Sequence, residues 1–391
     1  MEIGARTIAV PYIAGDGIGP EIMHASRPVI DAAVSKATGG SVALIWVELT
    51  AGEAAFERTG QWLPAETVEA IRAAGVALKG PLTTPVGRGF RSLNVALRQT
   101  LDLYASVRPV RYFDGVPSPV KDPEGMDVVI FRENTEDVYR GIEWRSGSPE
   151  AREVLDFMRE KLNIEIPPDS GIGLKPISER ASKRLIRTAI EFALKSKRKS
   201  VTIVHKGNIM KFTEGAFRDW GYDLATREYR DRVVFESELD GDGDVSGRLV
   251  LKDRIADNMF QQILTRPREY SVLAAPNLNG DYLADACAAQ VGGLGLAPGA
   301  NIGDRVAVFE PVHGSAPKYA GKDVANPAAL LLSGAMMLEH MGLGRAGVMI
   351  SKAIEETYSE QTMTADLARL CDGSRCVGTK DFCRAVLGKL G

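Results

Sequence analysis

The chain has 391 residues, more than one hydrophobic core usually serves, so two or more lobes with a ligand cleft between them are predicted. Its 45% hydrophobic and 25% charged residues and its net charge of −3 exclude the polycationic character of a nucleic-acid-binding protein. No apolar run approaches the ~20 residues of a membrane span, and the N-terminus enters a strand pattern without a secretory signal. A cytoplasmic protein that binds neither membrane nor nucleic acid is predicted.

The four cysteines, Cys287, Cys371, Cys376 and Cys383, lack the CxxC spacing of a zinc site. We expect reduced thiols that serve as packing residues.

Strand and helix patterns alternate along the chain. An apolar strand, a glycine turn and an amphipathic helix open it, and further strands and helices are predicted at 42–49, 64–75, 76–82, 126–134, 178–195, 200–207, 306–311 and 330–342. This alternation predicts an α/β fold with a mainly parallel sheet. The stretch from Gly141 to Ile172 consists of short charged segments, and we interpret it as an inserted arm for dimer contacts.

The first glycine turn, GDGIGPE at 15–21, superficially matches a dinucleotide-binding turn. However, Pro20 removes a backbone N–H, and Asp16 and Glu21 add negative charge where a phosphate would bind. A tight turn with Pro20 at the first helical position is the better interpretation.

A second glycine-rich loop, 313–327, carries Lys318, Tyr319 and Lys322 among small residues. A basic loop with accessible backbone suits a phosphorylated ribose, and this loop is the cofactor candidate.

Asp281 and Asp285 are four residues apart in a predicted helix, so both carboxylates project from one face. Together with Asp257 they predict a divalent cation site, although a solvated acidic surface is the ordinary alternative for such residues.

A dense group of arginines and small polar residues offers the complementary charge. Bidentate donors at this density suit a substrate with several carboxylates, which a metal ion could chelate. The group contains Arg91, Ser92, Asn94, Arg98, Arg108 and Arg132.

Tyr139 and Lys206 are the candidates for proton transfer. Packing and solvation are the usual roles of these residue types, but Lys206 follows a predicted strand, where side chains point into the ligand crevice of an α/β sheet.

Six motifs resemble a known family: GDGIGPE, GPLTTPVGRGFRSLNVALRQTLDLYASVRPVR, FRENTEDVY, VHKGNIMKFTEGAF, NLNGDYLAD and HGSAPKYAG. They are similar to the β-decarboxylating isocitrate/isopropylmalate dehydrogenase family, in particular its prokaryotic NADP-dependent isocitrate dehydrogenases, nearly from end to end. The resemblance implies oxidative decarboxylation of isocitrate to 2-oxoglutarate by a homodimer, with NADP and Mg²⁺ or Mn²⁺.

The implied α/β fold is the non-Rossmann fold of that family, in which a large and a small domain share a central sheet and a clasp arm joins the subunits. The resemblance implies a large domain at 1–103 and 292–391, a small domain at 104–136 and 179–291, and the clasp at 137–178.

The resemblance also assigns site residues. Ser92, Asn94, Arg98, Arg108 and Arg132 match the substrate-binding set, and Tyr139 and Lys206 match the acid/base pair. Asp257, Asp281 and Asp285 match the metal ligands, and both Lys206 and Asp257 are expected to reach the partner subunit's cleft. The cofactor contacts match Thr83, His313, Gly314, Ser315, Ala316, Pro317, Lys318, Tyr319, Asn326 and Arg369.

NADP is expected over NAD because Lys318, Tyr319 and Arg369 suit a 2′-phosphate. Ala365 stands where some NADP-dependent members carry a second tyrosine, so one phosphate contact is missing.

Two alternatives remain at this point. 3-Isopropylmalate or homoisocitrate dehydrogenases share the metal and Tyr/Lys machinery, but hydroxyl and amide groups at Ser92 and Asn94 suit a third carboxylate better than an isopropyl group. A metal-dependent phosphate-ester hydrolase would use the same aspartates and arginines without a nicotinamide.

Overall fold

The computed structural model describes residues 6–83, 92–239, 245 and 247–391. The strands are β1 Arg6–Ile13, β2 Val42–Leu49, β3 Val76–Lys79, β4 Ala105–Arg111, β5 Asp127–Glu133, β6 Glu143–Trp144, β7 Ile172–Gly173, β8 Ser200–His205, β9 Val233–Phe235, β10 Leu249–Ile255, β11 Val272–Ala275, β12 Pro298–Ile302, β13 Ala307–Pro311, β14 Thr362–Met363 and β15 Arg375–Cys376.

The helices are α1 Gly19–Thr38, α2 Glu53–Thr59, α3 Ala65–Ala74, α4 Leu93–Thr100, α5 Pro149–Leu162, α6 Glu179–Lys195, α7 Ala216–Glu228, α8 Ala256–Thr265, α9 Asn277–Gln290, α10 Ala328–His340, α11 Gly344–Ser359, α12 Ala365–Ala368 and α13 Thr379–Gly388. The predicted alternation of strands and helices is confirmed.

One large sheet runs through the molecule in the order β2-β1-β3-β13-β12-β4-β5-β11-β8-β10-β9. Its two flanks are parallel, as predicted. The prediction of a mainly parallel sheet is confirmed, and the exception is the centre, where β13, β12, β4 and β5 are antiparallel neighbours. There β12 and β13 are joined by only four residues, which is enough for a hairpin and too short for a parallel crossover.

Helices cover the sheet and bury its apolar side chains. At one end α1, α10, α11 and α13 pack together, and α1 buries Ile22, Met23, Val29, Ile30 and Ala33, an i, i+3, i+4 pattern that places one stripe against the core. At the other end α6 and α7 pack on β5, β8 and β11. The boundaries expected at 103/104 and 291/292 fall just after α4 and α9, but one sheet continues across both, so the domain division stays a prediction.

The first glycine turn is a structural turn. Gly17 has φ of 58°, and a Cβ there would lie 2.1 Å from the backbone oxygen of Ser315. The buried Asp16 carboxylate accepts the backbone N–H groups of Thr83 at 2.7 Å and Glu53 at 2.9 Å. Asp16 therefore satisfies loop N–H groups, and the interpretation as a tight turn is confirmed. The position predicted for Pro20 is wrong by one residue, because α1 begins at Gly19 and Pro20 is its second residue.

The arm contains more regular structure than the sequence suggested. β6 and β7 form a two-stranded antiparallel sheet, and α5 is a 14-residue helix whose first turn is capped by the Ser148 hydroxyl. The interpretation as short segments missed α5, whose only buried residue is Ala151 and which therefore lacks a core-facing stripe.

The cysteines are unpaired, as expected, but they are not all packing residues. Cys287 and Cys383 are buried, whereas Cys376 is exposed, so the packing role predicted for it is wrong. Within the part of the chain that the structure describes, no helix combines the length and apolar character that crossing a membrane requires.

Candidate active site

Arg108 and Arg132 project from one face of the antiparallel pair β4–β5. Arg132 pairs across the ladder with Ser106, and Arg108 lies two residues further along β4, so the three side chains share a face. Both arginines are buried. Arg132 Nε donates to the backbone oxygen and to Oδ1 of Asn277, each at 2.9 Å, and its guanidinium pairs with Asp281. The structure thus brings two of the predicted substrate arginines together.

Helix α9 turns two of the predicted metal ligands toward these arginines. Arg108 lies 3.6 Å from Asp281 and 3.4 Å from Asp285, as expected for carboxylates one helical turn apart. The Tyr139 hydroxyl donates to Asp281 at 2.9 Å, and the Arg132 guanidinium stands 4.7 Å from the centre of the Tyr139 ring. Five predicted residues from four separate elements therefore form one cluster.

Burial shifts the pKa values of three residues in this cluster. Burial, reinforced by the neighbouring Arg108 cation, lowers the pKa of Arg132 to about 9. Burial raises the pKa of Tyr139 against the opposing effect of Arg132, so this phenol stays protonated at neutral pH. Burial also raises the pKa of Asp285, with Arg108 opposing. A protonated phenol beside a carboxylate can act as a general acid.

A buried acid that the sequence analysis missed holds Arg98. Arg98 Nη2 donates to Glu310 at 3.0 Å, and Lys79 pairs with the other oxygen of Glu310. Burial alone would raise the pKa of Glu310, but the Lys79 and Arg98 cations lower this pKa to about 2. The sequence held two signals for this ion pair: a lysine ends the apolar strand β3, and a glutamate lies inside the apolar strand β13. Charged residues in buried strands are seldom unpaired, so each predicts a partner of opposite charge.

A small cavity of about 80 Å³ lies between the arginines and the second glycine-rich loop. Its lining includes Asn94, Arg98, Arg108 and His313. Three buried polar atoms of these residues, Asn94 Oδ1, Arg98 Nε and His313 Nε2, have no hydrogen-bond partner among the described residues. Buried polar groups are rarely left unsatisfied, so this cavity has the character of a site for a polar ligand.

Ser92 is the residue before α4, and its hydroxyl does not cap that helix. Its predicted role in substrate binding stays a prediction. Arg91 lies outside the described residues.

The candidate cofactor loop is tied to the first glycine turn. The hydroxyl oxygens of Thr83 and Ser315 are 2.8 Å apart, and the backbone N–H of Ile18 donates to the oxygen of Ser315 at 2.9 Å. Burial lowers the pKa of His313, which keeps its imidazole neutral. The loop then passes Gly314 and Ala316, whose φ is 40°, into a short 3₁₀ turn at Pro317–Tyr319.

The far end of this loop presents cations. Lys318 and Arg369 are exposed, and neither forms an ion pair with a described residue. Lys318 Nζ lies 4.8 Å from the centre of the Tyr319 ring. Buried Asn326 donates to Asp366 at 3.2 Å and so links the loop to α12, which precedes Arg369. The predicted cofactor residues thus lie on this loop and directly after the helix joined to it, except Thr83, which follows β3 and contacts Ser315 of the loop.

The structure does not bring Lys206 and Asp257 into the cluster. Lys206 follows β8, as predicted, and Asp257 begins α8 after the neighbouring strand β10. The Lys206 ammonium bonds both oxygens of Asp257, at 2.6 and 2.7 Å. No ion pair joins either residue to Asp281 or Asp285 in the described part of the chain. The pair is therefore free to serve a different cleft from that of Tyr139.

The donor chemistry suits a hard divalent cation. Asp281 and Asp285 offer carboxylate oxygens, the ligands that Mg²⁺ and Mn²⁺ prefer, and Asp285 is half exposed. Among the described residues, no group of three acidic, histidine or cysteine side chains could hold a metal ion alone. A cation here would need further ligands from a substrate or a second copy of the chain.

Fold and site together define an α/β enzyme that binds a polyanion between arginines and acidic residues beside a nucleotide-type loop. The sequence profile of a family described as isocitrate/isopropylmalate dehydrogenase matches residues 9–386, and the chain belongs to that family.

Its relatives share nearly their whole length with it. It is 57% identical to "Isocitrate dehydrogenase [NADP]" of Archaeoglobus fulgidus, over 97% of this chain and 92% of that protein. It is 55% identical to the protein of the same name from Haloferax volcanii, over 97% of this chain and 91% of that protein. Among solved structures, isocitrate dehydrogenase from Methylococcus capsulatus superposes with a TM-score of 0.81 at 38% identity, covering 98% of this chain and 99% of the other.

Proposed function

We propose that the chain catalyses the oxidative decarboxylation of isocitrate to 2-oxoglutarate and CO₂ with reduction of NADP, in a reaction that requires Mg²⁺ or Mn²⁺. The cavity beside Arg98, with three buried polar atoms that have no partner among the residues the structure describes, carries this proposal. It joins the arginine group to the loop with exposed cations, as a site for a polycarboxylate beside a phosphorylated cofactor requires. The names of the relatives support the same reaction.

The arginines orient the substrate. Arg98, Arg108 and Arg132 bind its carboxylates, and their fixed positions keep the C2 hydroxyl aligned while charge moves. Ser92 and Asn94 complete the recognition of the third carboxylate.

Two side chains move protons. Lys206 of a second subunit would accept the proton of the C2 hydroxyl during the oxidation of that carbon. The resulting 2-oxo acid loses its β-carboxylate as CO₂, and Tyr139 protonates the carbon from which it departed. The raised pKa of Tyr139 suits this role, because its proton is still present at neutral pH.

Two bound groups supply the remaining chemistry. When bound, NADP supplies the hydride acceptor and the divalent cation supplies a Lewis acid at the C2 oxygen. Asp281 and Asp285 would hold the cation together with Asp257 of a second subunit. Thr83, His313–Tyr319, Asn326 and Arg369 would hold NADP, with Lys318, Tyr319 and Arg369 at its 2′-phosphate.

The choice of substrate is testable by steady-state kinetics. We expect kcat/KM for isocitrate to exceed that for 3-isopropylmalate, because the lining residues Asn94 and Arg98 leave polar groups unpaired opposite an isopropyl group. The pair of assays uses the same enzyme, Mg²⁺ and NADP. Faster turnover of 3-isopropylmalate would reject isocitrate as the substrate.

We propose a homodimer in which each active site is shared. In the arm, Val138, Phe157, Leu162, Ile164 and Leu174 are large apolar side chains that this single chain leaves exposed. Contiguous exposed apolar residues are typical of self-association surfaces. The exposed Lys206–Asp257 pair would face the partner's cleft, which supports shared sites.

Complementation of two inactive variants tests the shared site. If Lys206 serves the partner's cleft, a heterodimer of Tyr139→Phe and Lys206→Met chains contains one site with both groups intact. Unfolding and refolding an equal mixture should restore about a quarter of wild-type activity, since half the dimers are mixed and each has one good site. If the mixture is as inactive as its components, Tyr139 and Lys206 act within one chain.

The four unpaired thiols suit a reducing compartment, which supports a cytoplasmic location for the enzyme.

A further inference from the structure

Lys175 is a cation placed between two buried carboxylates at the base of the arm. Its Nζ lies 2.5 Å from Asp137 Oδ1 and 2.9 Å from Glu214 Oε1. The side chains of Asp137 and Glu214 are 1% and 0% exposed, and that of Lys175 is 17% exposed. The angle between the Lys175 ammonium and Glu214 Oε1 is unsuitable for a hydrogen bond, so the attraction between these two groups is ionic. Without this cation, two buried negative charges would be left unpaired.

The Asp137 end of the bridge holds the turn that carries Tyr139. Asp137 begins the 3₁₀ turn Asp137–Arg140 with φ of 68°, a conformation that costs free energy unless the surroundings fix it. Its carboxylate accepts the backbone N–H groups of Val138 at 2.7 Å and Leu278 at 3.0 Å. One carboxylate therefore fastens the Tyr139 turn to the first turn of α9, the helix that carries Asp281.

The Glu214 end holds the segment that carries Lys206. Glu214 Oε2 accepts the backbone N–H of Lys206 at 2.5 Å and the side-chain amide of Asn279 at 2.7 Å. Glu214 lies in the π-helical turn Lys211–Gly215 that follows Lys206. The backbone of Lys206 is thus also fastened to α9.

We propose that Lys175 is a positioning residue for both proton-transfer groups, acting through Asp137 on Tyr139 and through Glu214 on Lys206. This inference rests on the proposed roles of Tyr139 and Lys206. The Lys206 ammonium pairs with Asp257, outside the Tyr139 cluster, and in the proposed dimer it would serve the partner's cleft. Each Lys175 would then align groups that belong to two different active sites. The bridge would then connect the geometries of the two sites through one chain.

The test removes the Lys175 cation by substitution and compares the effect with that of the same substitution at a matched lysine. Lys175→Met is compared with Lys183→Met, because Lys183 also bridges two carboxylates, Glu179 and Asp223, and is 18% exposed, but lies on α6 away from the site. We expect Lys175→Met to lower kcat about 10- to 100-fold, since a displacement of the order of 1 Å costs that much, with little change in KM for NADP. Lys183→Met should keep kcat within about twofold of wild type. Lys175→Arg, which restores the cation, should recover part of the loss.

Glu214→Gln keeps the shape of the buried acid and serves if Lys175→Met does not fold. We expect it to lower kcat with a wild-type circular dichroism spectrum. A folded Lys175→Met or Glu214→Gln enzyme with wild-type kcat would overturn the proposal, as would an equal loss in Lys183→Met. Tyr139→Phe and Lys206→Met are measured alongside. If Tyr139→Phe and Lys206→Met lose activity while Lys175→Met does not, only the positioning role of Lys175 fails. If Tyr139→Phe and Lys206→Met both keep wild-type activity, the proposed acid/base pair itself is rejected.

Discussion

Glu310 anchors the substrate side of the site through two cations, Lys79 and Arg98. Glu310→Gln would leave the buried Lys79 and Arg98 cations without their counter-charge. Breaking a buried ion pair in this way lowers the free energy of unfolding by about 3–5 kcal/mol. Urea unfolding should show a loss of that size. The matched control is Glu228→Gln, whose partner Arg187 lies at the surface, and there the loss should stay under about 1 kcal/mol. Equal small losses in the two variants would show that Glu310 is not held by its cations.

The same acid predicts a pH dependence of stability. Its pKa in the folded chain is lowered to about 2 from an ordinary value of 4.5, so the ionised form is favoured by folding. The stabilisation is therefore complete above pH 4.5 and is lost as the pH falls toward 2. The difference in unfolding free energy between wild type and Glu310→Gln should shrink over that interval. A difference that is constant with pH would contradict the assignment.

Lys318 and Arg369 are the residues that we propose set the choice of cofactor, and neither forms an ion pair with a described acid. Lys318→Asp should lower kcat/KM for NADP by roughly 10-fold or more and that for NAD much less, because it replaces attraction for the 2′-phosphate by repulsion. Lys352→Asp makes the same charge change on the surface of α11 and should leave the ratio of the two values unchanged. Wild-type enzyme that used NAD as well as NADP would refute the preference.

Local signals in the sequence identified some site residues and could not identify others. Asp281 and Asp285 were predicted as a pair because an i, i+4 spacing is a property of one helix, and Lys206 was predicted because it follows a strand. The partnership of Arg98 with Glu310 spans 212 residues, and that of Lys175 with Glu214 spans 39. Neither spacing has a local periodicity, so only the folded chain reveals these pairs.

Helix α9 packs closely on strand β5 at Gly280, and this packing sets the distance between Asp281 and Arg132. A Cβ at Gly280 would lie 2.7 Å from Cγ and 2.8 Å from Cβ of Arg132. Gly280 thus allows the adjacent Asp281 to meet the Arg132 guanidinium.

Gly280→Ala should force Arg132 aside, lower kcat/KM for isocitrate at least about 10-fold and lower the melting temperature. The control is Gly344→Ala at the start of α11, where the nearest atom to a new Cβ is 3.9 Å away and alanine favours the helix. Normal activity in Gly280→Ala would contradict the close packing of α9 on β5.

The elements themselves were largely predictable, and the exceptions have physical causes. Buried parallel strands such as β3 and β8 show continuous apolar runs, and α6 shows a clear amphipathic period. Helix α5 was missed because it packs little of its surface against this chain. The antiparallel strand β12 was missed because PGANI is short and rich in turn residues, so its pairing with β4 and β13 depends on tertiary structure.

At the scale of the whole molecule, a continuous sheet brings a polyanion site, an acidic helix and a nucleotide-type loop together. Strands β4 and β5 lie at the centre of that sheet and carry Arg108 and Arg132. In the proposed function each of these groups serves a different part of one reaction, and their proximity agrees with oxidation and decarboxylation in the same cleft.

The most direct test measures the products of a single reaction of the purified protein with isocitrate, NADP and Mg²⁺. Reduced NADP, CO₂ and 2-oxoglutarate should appear in equal amounts, and a chelator that removes the cation should abolish all three. Tyr139→Phe should lower the rate of CO₂ release without weakening isocitrate binding. Turnover of isocitrate without NADP reduction, or NADP reduction without CO₂ release, would contradict the proposed reaction.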